Sequence, residues 1–143
     1  MMSIFLKFKS ISFLGILLAS NSMFAAITGE DVTFSGIAKN TSKACTLRII
    51  GSTETTNPYT VQVEATIYDP HESMNEVFVF TVKQTNISQG FNIFSGGEAG
   101  KDQLNIFVPD TSDMLSDARK FSVKWLHNDH FHSELCDKLV RNE

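Results

Sequence analysis

Downstream of residue 30 apolar and polar residues alternate along most of the chain, and a period of two predicts strands with one buried face. Asp31 to Ala38 sets Val32, Phe34 and Gly36 against Thr33, Ser35 and Ile37. Asn40-Thr41-Ser42 turns the chain, and Ala44 to Ile50 then carries Cys45, Leu47 and Ile49 on one face. Gly51 to Pro58 is a polar, threonine-rich loop. Tyr59 to Tyr68 alternates most regularly, with Val61, Val63, Ala65 and Ile67 on one side and Thr60, Gln62, Glu64 and Thr66 on the other. Pro70 stops that strand, so Asp69 to Ser73 reads as a loop.

Glu76 to Gln84 differs because both of its faces are apolar: Val77, Val79 and Thr81 point one way, Phe78, Phe80 and Val82 the other. Such a strand is covered on both sides or presents a sticky surface to a partner. Phe91 to Phe94 is a short apolar piece, and further strands are predicted over Leu104 to Val108 and Lys120 to Leu126. Between them lie a glycine-rich turn, Ser95 to Lys101, and one helical turn within Thr111 to Lys120, capped by Ser112 or Asp113. The tail changes period: Leu135, Leu139 and Val140 recur at helical spacing behind Ser133 as a cap, with Glu134 in the first turn. The expectation is an all-β fold, either an antiparallel β-sandwich (Ig-like) or a small barrel of six to seven strands, with a short C-terminal helix. That helix would lie over Phe78, Phe80 and Phe107, the residues that otherwise form the expected binding surface.

Residues 1–25 have a different character. Lys7 and Lys9 precede an apolar run, Ile11 to Ala19, broken only by Ser12 and Gly15, and Ala25 offers a small residue before a cut. This is the pattern of a cleaved signal peptide, with 26–143 as a single β-rich exported domain. The run is too short for a membrane anchor, which needs about 20 apolar residues, and no later stretch is apolar enough to serve. The expected location is periplasmic or secreted. Lys7 and Lys9 leave with the leader and no acid does, so the net charge of −4 becomes −6. An acidic surface argues against nucleic acid and anionic lipid as partners.

The chain has two cysteines, Cys45 and Cys136, both within the exported domain. In an oxidising compartment the simplest reading is a disulfide; the alternative is a pair of free thiols with Cys136 as a metal ligand. His127, His130 and His132 fall within six residues, and imidazole suits zinc, copper and nickel. The competing reading is a solvated polar turn. Gly96-Gly97-Glu98-Ala99-Gly100-Lys101 lacks the spacing and the hydroxyl of a phosphate loop, and Asp110, Asp113 and Asp117 lack the alternation of a calcium loop. No nucleophile elbow, zinc-protease helix or paired-cysteine motif is present, so neither an enzyme nor a resident cofactor is expected. The expected function is binding of another protein or surface macromolecule, as an inhibitor, immunity factor or surface component. The alternative is metal binding by the three C-terminal histidines.

One local resemblance bears on the fold. Gly29-Glu30-Asp31-Val32-Thr33-Phe34-Ser35-Gly36, followed by Ala44-Cys45-Thr46-Leu47, resembles the opening strand and first cysteine of chaperone-usher pilus subunits. That resemblance implies an incomplete Ig-like sandwich completed by a donated strand. The late Cys136, the ending Leu139-Val140-Arg141-Asn142-Glu143 and the lack of a donor arm before the first strand depart from the family pattern.

Overall fold

The computed structural model describes residues 31–52 and 61–143. The leader 1–25 and most of the threonine-rich loop lie outside the described residues. Eight strands are β1 (Val32–Ala38), β2 (Ala44–Ser52), β3 (Val61–Asp69), β4 (Met74–Ser88), β5 (Phe91–Gly97), β6 (Gln103–Pro109), β7 (Lys120–His127) and β8 (His130–Arg141). Each pairs antiparallel with its neighbours in sequence, and β8 returns to β1, closing a barrel. The fold is therefore all-β. The closed eight-stranded barrel replaces the expected sandwich or six-to-seven-stranded barrel, and it leaves no open edge for the donated strand that the pilus-subunit resemblance implies.

Alternation places the core. In β3, Val61, Val63, Ala65, Ile67 and Asp69 all face inward and are buried, while the residues between them are half-exposed. Leu47, Val82, Leu104, Ile106, Phe121 and Val123 fill the middle of the barrel from four other strands. Eight strands enclose a space that side chains of this size can occupy completely. In β4, whose two apolar faces left the direction open, Phe78 and Phe80 turn inward at 9 % and 8 % exposure while Val77 and Val79 face solvent at 56 % and 55 %. Phe78 and Phe80 are thus core. The interior has room for one face of β4, and the aromatic face buries more apolar area.

The predicted C-terminal helix is a strand. Glu134 and Cys136 point inward at strand spacing, and the next inward residue is Leu139, three positions on. The register explains the gap. Ser35 pairs with Val140 and Ile37 with Asp137, so only Gly36 on β1 opposes Lys138 and Leu139 on β8. This is a β-bulge, with Lys138 at φ 56°. One inserted residue turns an i, i+2 pattern into i, i+3, which reads as helical. Similarly, the expected helical turn after β6 is a single 3-10 turn, Leu115–Asp117, and its N-cap is Met114 rather than Ser112 or Asp113.

The bulge sits where the chain is cross-linked. Cys45 on β2 and Cys136 on β8 form a disulfide with Cα atoms 6.0 Å apart and 91 residues of separation. Those strands are not neighbours; both flank β1, and the bridge passes across it at Gly36, the register partner of Cys45. A Cβ on Gly36 would lie 2.5 Å from the Asp137 carbonyl oxygen and 3.0 Å from the Cys136 sulfur. Only glycine fits there.

Candidate functional site at the barrel mouth

Because the strands run up and down, the β1–β2, β3–β4, β5–β6 and β7–β8 connections gather at one end of the barrel. Asp69 is the last inward residue of β3 and is 0 % exposed. Its Oδ2 accepts the indole N–H of Trp125 at 3.2 Å, and its Oδ1 accepts the backbone N–H of His71 at 2.8 Å. Burial pushes the Asp69 carboxyl up, but the His71 amide, the Trp125 indole and the nearby His71 and His127 rings outweigh it and hold the carboxyl below its ordinary value. The carboxylate thus fixes the first turn of the β3–β4 connection and floors the mouth with the indole.

Three imidazoles stand on that floor. Trp125 on β7 is the register partner of His132 on β8, and their ring centroids lie 5.8 Å apart. His71, from the β3–β4 connection, tilts over His132 at 4.2 Å and stacks with His127 at 5.6 Å. His127 and His132 are 5.8 Å apart. The Nδ1 of His127 lies 3.4 Å from Glu72 Oε1, and its Nε2 lies 3.1 Å from the Asn128 amide nitrogen. Glu76 completes the rim. Its carboxyl is raised, first by burial and then by the negative charges of Asp69 and Glu72, with His127 opposing. Leu126 donates its backbone N–H to Asp102 Oδ1 at 3.1 Å, which ties the start of β6 to this end of β7.

Of the three histidines singled out from the sequence, the structure packs the rings of His127 and His132 together and leaves His130, the cross-strand partner of His127, exposed at the tip of the hairpin. That turn, Asn128–Asp129, has both residues at positive φ, the two-residue hairpin geometry that Asn and Asp tolerate. The third ring is instead His71, more than fifty residues away in sequence. No local pattern marked it. A signal did exist for Asp69: it continues the inward series Val61, Val63, Ala65 and Ile67, and a carboxylate at an inward position needs buried donors.

As the rings stand, no three His, Cys, Asp or Glu side chains among the described residues are arranged to hold a metal ion. Cys136, in the disulfide, is no thiolate ligand. Of the expected binding surface, Phe107 alone faces outward, half-buried edge-to-face against Phe91 at 5.9 Å with the Lys120 ammonium over both rings. The exposed aromatic nearest the mouth is Phe131, paired across the β7–β8 hairpin with exposed Leu126. Comparison with protein-family models, with curated proteins and with solved structures gives no match.

Proposed function

We propose that the chain is an exported, disulfide-stapled barrel that acts without catalysis, binding another protein or surface macromolecule through its histidine-bearing mouth as an inhibitor, immunity factor or surface component. The observation that carries this reading is the contrast between the barrel's middle and its end. The middle is filled by side chains such as Leu47, Ile106 and Phe121, all fully buried. The end displays imidazoles and carboxylates on connections anchored by Asp69 and Asp102. A rim held in place before binding loses little entropy when a partner docks. The leader-like residues 1–25 and the Cys45–Cys136 bridge support a periplasmic or secreted location.

The test places a photo-crosslinking amino acid at position 131, beside the mouth, or at position 79, on the outer wall of β4, in the cells that make the protein. A discrete heavier adduct from position 131, lost when His71 and His132 are both replaced by alanine, is the expected result. No adduct from position 131 overturns the reading, and an adduct from position 79 alone moves the binding surface to the barrel wall.

A further inference from the structure

We propose that the packed imidazoles of His71, His127 and His132 make the barrel mouth a pH switch: charged in acid, the rings repel, and the β3–β4 connection, residues 70–73, lifts from the end of the barrel. The switch goes beyond the binding reading and operates in the free protein. The three rings come from three elements, and their centroids lie 4.2, 5.6 and 5.8 Å apart. Uncharged aromatic rings gain from such packing. Histidine changes its charge between about pH 8 and pH 5, and like charges this close oppose one another.

The neighbouring charges decide which contact gives way. His127 has a counter-charge, Glu72, whose Oε1 lies 3.4 Å from its Nδ1. Among the described residues no carboxylate lies within ion-pair distance of His71 or His132, the two rings in closest contact. That contact tolerates one charge, and a second is accommodated by separation. Asp69 attracts a charged His71 from below, but both of its oxygens are committed, to the Trp125 indole and the His71 backbone N–H, and its carboxyl, held below its ordinary value, stays ionised throughout. Glu76 favours opening, because its raised carboxyl loses charge as the pH falls. Asp102 is engaged with the Leu126 backbone N–H, and Lys43 and Lys124, over the Tyr68 and Phe131 rings, add positive charge at this end. Asp129 and His130, at the hairpin tip, are exposed. Of the closest pair, His132 is fixed on β8 opposite Trp125, whereas His71 is exposed on a short connection tied down by the ring contacts and its N–H to Asp69. The connection is therefore the part that yields.

The experiment is amide hydrogen exchange followed by NMR on the oxidised protein, at about pH 7.5 and about pH 5.5, with each rate divided by that of an unstructured chain at the same pH. Protection of the His71 amide should fall by about fivefold or more in acid, while Val63 and Ala65 in the middle of β3 keep theirs within about twofold. His132→Phe retains a ring beneath His71 without a charge, so the His71 amide should stay protected in acid. His71→Phe removes the charge from the other side of the contact and should protect the amide at position 71 in the same way. His130→Gln, at the hairpin tip, should leave the response as it is. Protection at position 71 that does not change with pH in the unaltered protein overturns the proposal. So does an undiminished fall in the phenylalanine variants, or a fall shared equally by Val63 and Ala65. These readings involve no partner, so the cross-link from position 131 tests the binding reading separately.

Discussion

At the closing seam, β1 lies between β2 and β8 under a buried disulfide, with Gly36 beneath the bridge and a bulge beside it. At the mouth, β8 meets β7, β4 and the β3–β4 connection in a set of half-buried to exposed imidazoles and carboxylates linked by hydrogen bonds and ring contacts. The seam is apolar, covalent and sterically full, so it fixes the position of the strands. The mouth is held by buried carboxylates, Asp69 under the β3–β4 connection and Glu134 under the β1–β2 connection, and leaves its other groups facing solvent. Rigidity in the first region allows polar groups to be held at known spacing in the second, which is how functional groups are best placed.

The comparison is sharpest where the seam is opened. Replacing Cys45 and Cys136 together by alanine frees a 91-residue loop, and such a loop is associated with a loss of about 2–5 kcal/mol. Thermal unfolding should then shift down by roughly 10–20 °C. A shift of only a degree or two would mean that the strand ladder alone closes the barrel. Gly36→Ala comes next, at about 3 kcal/mol, because its new methyl meets a backbone carbonyl that cannot swing away. In the double-alanine background this cost should fall but persist, since the sulfur contact is gone and the Asp137 carbonyl remains. Chemical denaturation of the four proteins in the cycle reads the difference, and a cost that vanishes would place the whole clash at the sulfur.

Smaller effects belong to the mouth and have opposite signs. Asp69→Asn keeps one acceptor oxygen but turns an amide N–H toward a donor, a loss of about 1–3 kcal/mol at pH 7. Because the folded carboxyl lies below its ordinary 3.8, its contribution is fully present above that value and is lost as the pH falls through the lowered one. The gap between the variant and the unaltered protein should therefore close below about pH 4. Glu76 runs the other way. Its carboxyl is raised above 4.5, so its contribution is present below 4.5 and is lost as the pH rises through the raised value. Glu76→Gln should be slightly more stable than the unaltered protein at pH 7 and no different in acid. Urea unfolding of all three proteins from pH 3 to 7 separates these outcomes, and parallel curves would remove the carboxylates from the account.

Much of the barrel was legible before folding. β3 was readable in both extent and facing, because each inward position is apolar until Asp69. β1, β2, β6 and β7 were bounded within a few residues, and the Cys45–Cys136 bridge followed from the cysteine count and the expected compartment. β8 was misread because a bulge at Lys138 disguises a strand as a helix. At the site, His127 and His132 were legible as a cluster, whereas His71 was invisible because its partners are reached only through β3–β4 and β7–β8 turns meeting at one end.

The sequence by itself determined what local chemistry can determine: where the chain is extended, which face of most strands is apolar, where it turns, and which two thiols are available to pair. The tertiary structure alone decided that eight strands close on themselves, that β4 turns Phe78 and Phe80 inward and Val77 and Val79 outward, and that His71 joins His127 and His132 in place of His130. The physical reason is that alternation repeats every two residues and is written in neighbours. Closure, in contrast, depends on twist and stagger summed over all the strands, a quantity that no single segment contains.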